Sequence, residues 1–427
     1  MNEVRVLKIR LGPILVGYIT YYRDGKSLFL FDESYIALRP DRPVLSLSFT
    51  VPGDEAATEQ KLRQHYTAML KLPPYFSNLL PEGALREYLV KKMRIHADHE
   101  FYMLEALGAN LPGAVIAAPA DLIPAAARQI RPGAHIAAAP EKPLPFSLGG
   151  AQLKFSMIEH GGRFSLTDGV GEWIIKPPHP TFPEVPANEF AMMKLAQAAG
   201  VVIPDVRLVP IKDLDLGDLA ELSIPRGEDL AYAIKRFDRT PEARIHAEDF
   251  AQVFSFYSNR EYDGTNYESI GRLIFKVFPD PFGQIEQFLR RLVVNILVGN
   301  SDAHLKNWSI LYEDGFRPRL SPGYDILSTI QYARRNISAA LNLGNEKRFY
   351  ATKREHFERL ARKIGIPADF ALGVVKSTVS TAAERWESVL SAAPISSDLR
   401  DALRQHWERL DPFLRPTLAR SGERASA

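Results

Sequence analysis

Apolar and polar positions change rhythm several times along this chain. Val4, Val6 and Leu7 open a short apolar run, Ile14 to Tyr22 form a second, and Asp24-Gly25 precedes a third from Leu28 to Phe31. Short runs bounded by turn residues predict strands. Residues 57–72 switch to helical spacing, and further helices are predicted at 84–92 and 100–107, the last stopped by Gly108. Residues 1–118 therefore read as a small α+β unit.

Residues 119–145 are rich in Ala and Pro and read as a connection, part of which can serve as an edge strand. Strands are predicted at 154–158 and 163–167, joined by the turn Glu159-His160-Gly161-Gly162, and again at 172–176, 206–211 and 230–237. One helix, 187–199, lies among them and is closed by Gly200. Residues 146–240 thus form a mostly antiparallel sheet with one inserted helix. From 241 to 412 the pattern is helical apart from a small hairpin, 308–312 with 319–320, around Asp314-Gly315. Ile285, Phe288, Leu289, Leu292, Val293, Ile296 and Leu297 mark one broad apolar helix face that ends at Gly299. The tail, 413–427, lacks periodicity and is expected to fray.

Composition narrows the options. With 427 residues, 46% hydrophobic and 24% charged, the chain suits two or three packed domains. It has no cysteine, which excludes disulfide frameworks, thiolate metal sites and cysteine nucleophiles and fits a reducing cytoplasm. A net charge of +2 makes direct, tight nucleic-acid binding a poor expectation. Neither a secretory leader nor a membrane span is expected.

The candidate chemistry follows the long apolar helix. In NILVGNSDAHLKNWSIL, Asp302 and Asn307 have the D-x-x-x-x-N spacing of a kinase catalytic loop, and Asp325 follows in PGYDILS. Phosphoryl transfer needs a carboxylate for the proton of the accepting hydroxyl, and an amide and a second carboxylate for Mg²⁺. Asp302 is the candidate base; Asn307 and Asp325 are the candidate metal ligands. Singly, each suits a cap or turn equally well; the set carries the reading. Lys176 emerges from the apolar strand EWIIK, where its ammonium can meet phosphates, and Glu189 on the next helix can pair with it. Gly149 and Gly150 let backbone N–H groups approach phosphate, although no P-loop or Rossmann fingerprint is present. Lys235, Phe237 and Asp238 end the last strand, where a chain crossing between lobes offers its backbone to adenine. His304 lies two residues from Asp302 and reads better as a structural hydrogen-bonding residue than as a metal ligand.

With these residues in hand, the chain resembles the HipA family, the serine/threonine kinase toxins of bacterial HipBA-type toxin–antitoxin modules. RPVLSLSFTVP and YFSNLLPEGALREYLVKK resemble the family's first subdomain, SLGGAQLKFSM its S-x-x-G-x-Q-x-K loop, and IKRFDR its interlobe strand. GNSDAHLKNWSIL and YDILS resemble its catalytic and metal loops. The resemblance implies an α+β, two-lobed protein-kinase-like fold with a small N-terminal α+β subdomain, a mainly antiparallel N-lobe and an all-helical C-lobe. It implies ATP and Mg²⁺ as cofactors, with Gln152, Lys154, Lys176, Phe237, Asp238, His304 and Asn307 around the nucleotide. Ser147 aligns with the serine that family members autophosphorylate, which ejects the loop and switches the enzyme off; added negative charge beside bound phosphates gives the physical reason. A HipB-like helix-turn-helix antitoxin would carry the DNA contacts, and the substrate would be a protein, in some relatives an aminoacyl-tRNA synthetase. Lys235 departs from relatives that have Glu there, and Gly149-Gly150 and Phe155-Ser156 also vary. Two other readings stay open: a catalytically silent corepressor acting with the DNA-binding partner, and a small-molecule phosphotransferase.

Overall fold

The computed structural model describes residues 3–130, 135–136, 153–166, 171–216, 227–240, 242–257, 265–332 and 338–417. The chain opens with an antiparallel sheet in which Tyr66–Met69, Lys26–Phe31, Ile14–Tyr22, Glu3–Leu11 and Val115–Pro119 lie side by side in that order. His135–Ile136, from the Ala/Pro-rich connection, adds a short parallel edge to Glu3–Leu11. The helical spacing read over 57–72 holds only for Glu55–Leu62, which Asp54 caps by accepting from Ala57 N at 2.9 Å. Tyr66–Met69 is a strand instead, because the edge of Lys26–Phe31 supplies its backbone partners. Such a partner outweighs local spacing.

A second sheet runs Val206–Pro210, Leu230–Lys235, Trp173–Lys176, Phe155–His160, Arg163–Leu166 and Leu214–Asp215. All its pairings are antiparallel except the last. Strand side chains alternate between faces, and that alternation sorts this sheet. Phe155, Met157, Trp173, Ile175, Ala231 and Ala233 join the core of the first subdomain. Tyr232 and Ile234 join the core of the helical lobe, and Ile174 packs against it. The first subdomain and the second sheet therefore share one continuous apolar core. The opposite face of the second sheet receives the helix Val185–Ala198.

The rest is mainly helical and is built around Pro281–Leu297, Ala368–Ala392 and Ser397–Arg409. It is not all-helical. His246–Asp249, Ser309–Tyr312 and Arg319–Leu320 form a three-stranded sheet, and Ser338–Leu343 pairs with Glu346–Arg348. The hairpin half of that sheet was legible in sequence. Its third strand pairs across some sixty residues, so no local pattern marks it. The expected fray from 413 also starts too early, since Leu414 is fully buried in the lobe core. The architecture is a two-lobed, kinase-like α+β fold with the first subdomain packed against it.

Candidate active site

The helix Pro281–Leu297 sets the position of the first loop. Its end leaves backbone carbonyls without helical partners. Trp407 Nε1 donates to Leu297 O at 2.7 Å and His406 Nε2 to Ile296 O at 2.8 Å, which fixes that end. Gly299 then turns at φ +65°, a conformation that favours glycine, and a Cβ there would lie 2.5 Å from Ile330. Asn300 ties the two candidate loops together. Its amide donates to Asn295 Oδ1 at 2.9 Å and to Asp325 O at 3.1 Å, and its oxygen accepts from Asp302 N at 3.0 Å.

Asp302 presents a half-exposed carboxylate at the cleft. Asn307, which is buried, donates from Nδ2 to Asp302 O at 2.7 Å. The amide thus spends its nitrogen on the loop, and its oxygen is the atom suited to a cation. His304 Nδ1 accepts from Lys306 N at 3.2 Å, and Nε2 lies 3.9 Å from the Asp302 carboxylate. Burial lowers the His304 pKa against the opposing pull of Asp302, so the ring is held neutral as a loop brace.

Across the cleft, Lys176 lies on the sheet face of Ile174 and Ile234, opposite Trp173 and Ile175. Its ammonium donates to Glu189 at 2.7 Å and also to Asp325. Burial works against that charge, but the two carboxylates outweigh it and raise the lysine pKa. Burial likewise disfavours the Asp325 carboxylate, and Lys176 and Lys154 reverse the effect, holding it well below the usual range. Glu189 has no solvent exposure and is pushed up to about 7 by burial despite Lys176. Asp325 adopts φ +52°, a strained conformation for a residue with a side chain. It is kept there by contacts from both lobes.

Lys154 lies beside this group. Burial lowers its pKa, aided by Lys176 and Lys306, while Asp325 opposes. Lys235 is exposed but borders the cleft, and Phe237 packs on Tyr324 with ring centroids 5.4 Å apart. Asp238 also borders the cleft, yet its carboxylate is engaged elsewhere. Arg236 donates to it at 2.8 and 2.7 Å, Arg239 at 2.9 Å and Gly113 N at 2.8 Å. It therefore links the interlobe strand to the first subdomain. Ser147, Gly149, Gly150 and Gln152 lie outside the described residues.

Asp302, His304, Asn307, Asp325, Lys154 and Lys176 border one cleft of about 290 Å³ together with Lys235, Phe237 and Asp238, with Ile174, Ile234 and Leu327 as apolar lining. The donor chemistry fits Mg²⁺·ATP: one amide oxygen and one carboxylate for a hard cation that keeps phosphate and water in its shell, and two ammonium groups for phosphates. Among the described residues no group of three His, Asp or Glu side chains could cage a metal by itself.

Several contributors escaped the sequence reading. Arg291 is fully buried between Trp308 and Tyr324, 4.4 and 5.0 Å from their rings, and donates to Asn307 O and to Tyr324 O at 3.2 Å. In sequence it is a charge on an apolar helix face, which is the one signal it offers. Lys306 forms an ion pair with Glu82 of the first subdomain, and Asn78, Leu79 and Pro112 also line the cleft. No spacing rule connects residues 224 positions apart.

Comparison with known proteins identifies the family. A profile of the HipA N-terminal domain matches residues 7–118, and one of the HipA-like C-terminal domain matches 146–386. A Sinorhizobium fredii protein named "Putative kinase Y4dM" is 39% identical over 417 residues, covering 95% of this chain and 97% of that one. The Shewanella oneidensis serine/threonine-protein kinase toxin HipA is 24% identical over 368 residues, 76% of each chain. The solved complex of Shewanella oneidensis HipA with HipB and operator DNA superposes with a TM-score of 0.68 at 18% identity, covering 96% of both chains. The kinase-like fold, the two matched domains and the near-full-length relative place this chain in the HipA family.

Proposed function

We propose that this protein is an ATP- and Mg²⁺-dependent serine/threonine protein kinase and the toxin of a toxin–antitoxin module. The observation that carries the reading is the bond from Asn307 Nδ2 to Asp302 O, beside a Lys176 that bridges Glu189 and Asp325. It holds a candidate base and two candidate cation ligands in one cleft. Bound Mg²⁺·ATP supplies the phosphoryl group and the charge that neutralises it. Asp302 accepts the proton of the substrate hydroxyl, which makes that oxygen a better nucleophile. Lys176 and Lys154 would orient the phosphates, and Asn307 and Asp325 would hold the cation. The backbone around Phe237 would receive the adenine, and Ile174 and Ile234 would exclude water from it.

The substrate is a protein hydroxyl, with a translation component such as an aminoacyl-tRNA synthetase as the family-based candidate. Ser147 is the proposed autophosphorylation site. The solved Shewanella complex contains HipB and operator DNA. It supports a HipB-like antitoxin as partner, with DNA reached through that partner. The small net charge of this chain agrees with that division. No helix of the described residues is long and apolar enough to cross a membrane.

The test is incubation with labelled ATP and Mg²⁺, with mass spectrometry on Ser147 and growth inhibition measured in parallel. Asp302→Ala is expected to lower transfer by about 10²–10⁴-fold, the usual contribution of a general base. It should also relieve toxicity. A variant as toxic as wild type would refute kinase chemistry as the basis of toxicity.

A further inference from the structure

We infer that Asn188 is a positioning residue that locks the helix carrying Glu189 to the segment carrying Asp325, and so sets how tightly the cleft holds Mg²⁺ with a nucleotide. The inference rests on the kinase reading above and deepens it.

Asn188 is fully buried in the helix Val185–Ala198, one residue before Glu189. Its amide spans the backbone of a single residue on the other lobe. Nδ2 donates to Ser328 O at 2.8 Å, and Oδ1 accepts from Ser328 N at 2.9 Å. Such two-point pairing is selective for register. A slide of the Ser328 segment by one position would swap or remove the donor and acceptor that the amide requires. A third bond stiffens the pairing: Nδ2 also reaches Tyr332 Oη at 3.2 Å, and that hydroxyl donates to Pro183 O at 2.8 Å. The strand-to-helix segment before Asn188 is thereby tied to the same stretch.

Ser328 lies three residues after Asp325, so these contacts close a ring. Asp325 meets Lys176, Lys176 meets Glu189, Glu189 neighbours Asn188, and Asn188 grips Ser328. Part of that ring is ionic. Charged contacts at Lys176 rearrange readily when phosphate or a cation competes for the same groups. The Asn188–Ser328 pairing involves neutral groups that no ligand competes for. It can keep Asp325 in place, in its left-handed backbone conformation, while the charged partners exchange. Asn188 touches neither substrate nor cofactor in this arrangement; it acts through Asp325.

The experiment compares wild type, Asn188→Ala and Tyr332→Phe as full chains. Binding of ADP and of a non-hydrolysable ATP analogue is measured by calorimetry across a Mg²⁺ series, alongside turnover of labelled ATP and thermal midpoints. Asn188→Ala is expected to raise the Mg²⁺ concentration for half-maximal nucleotide binding about tenfold, the size expected when one or two buried hydrogen bonds are lost. Metal-free nucleotide affinity should stay within about twofold by the same estimate. Tyr332→Phe, which removes the bonds to Asn188 Nδ2 and Pro183 O but leaves the Ser328 pairing intact, should show the same shift at about two- to threefold. A lower thermal midpoint with an unchanged Mg²⁺ dependence would mean a purely structural asparagine and overturn the inference. If Asn188→Ala does not fold, Tyr332→Phe decides, and a wild-type Mg²⁺ response in that variant overturns it. Should wild type itself show no Mg²⁺-promoted nucleotide binding, the kinase reading fails first and takes this inference with it.

Discussion

Replacing Lys176 by Met should destabilise the protein in a strongly pH-dependent way. The reason lies in Glu189, which is fully buried, has one carboxylate oxygen without a hydrogen-bond partner and sits near pKa 7 with the ammonium present. Its folded pKa is raised above the unfolded value of 4.5, so its contribution to stability is fully present below 4.5 and is lost as pH rises through the folded value. In wild type that loss is nearly complete soon after pH 7, and amounts to about 1 kcal/mol between pH 6.5 and 8.5. Without Lys176, burial and the nearby Asp325 are opposed only by Lys154, the smallest of these influences, and Glu189 is expected to stay protonated in the folded state over the whole interval. The unfolded chain then holds one proton fewer, and stability falls by about 1.4 kcal/mol per pH unit, or roughly 3 kcal/mol over the interval. The penalty of Lys176→Met should therefore grow by about 2 kcal/mol from pH 6.5 to 8.5. Urea unfolding, followed by tryptophan fluorescence and far-UV circular dichroism together, measures it; coincident transitions justify the free energies. The double variant Lys176→Met/Glu189→Gln should lose the slope. An equal penalty at both pH values, or a slope that survives in the double variant, would refute the reasoning.

Arg291→Met leaves Asn307 O and Tyr324 O without their shared donor and should cost about 2–4 kcal/mol of stability. Turnover should fall by roughly 10²-fold, as expected when a reacting group shifts by an ångström. Arg291→Lys should not restore it, because an ammonium lacks the planar fork; full rescue by Lys would contradict this account. His246, whose Nε2 donates to Leu45 O at 2.7 Å, is held neutral by burial with its pKa lowered to about 4 from 6.5. A depressed folded pKa contributes stability above pH 6.5 that is lost as pH falls toward 4, by about 3 kcal/mol. The stability difference between wild type and His246→Gln should shrink by that amount over this window in acid-titrated unfolding curves. A difference that stays constant with pH would exclude the mechanism.

Much of the fold was legible because its signals are local. The 100–107 helix, the short apolar run before Lys176 and the broad apolar face of the 281–297 helix are all local signals, and the structure places Glu100–Leu107, Trp173–Lys176 and Pro281–Leu297 there. Spacing also grouped Asp302 with Asn307, since five residues in one loop bring the amide onto the aspartate's own carbonyl. Where the chain must choose between equally good local states, spacing failed. Tyr66–Met69 became a strand because an edge was waiting for it, and His246–Asp249 became one because Ser309–Tyr312 supplied its partners.

Residue identity and spacing alone named the residue types suited to phosphoryl transfer and the order of the loops that carry them. What those side chains are bonded to was settled by folding. Glu82 reaches Lys306, Arg291 braces two loops at once, and the Asp238 carboxylate is turned to the first subdomain by two arginines and Gly113. Pairings across dozens to hundreds of residues leave no mark in local periodicity. They arise when two apolar cores close and the buried polar groups between them must each find a partner or carry the full cost of desolvation.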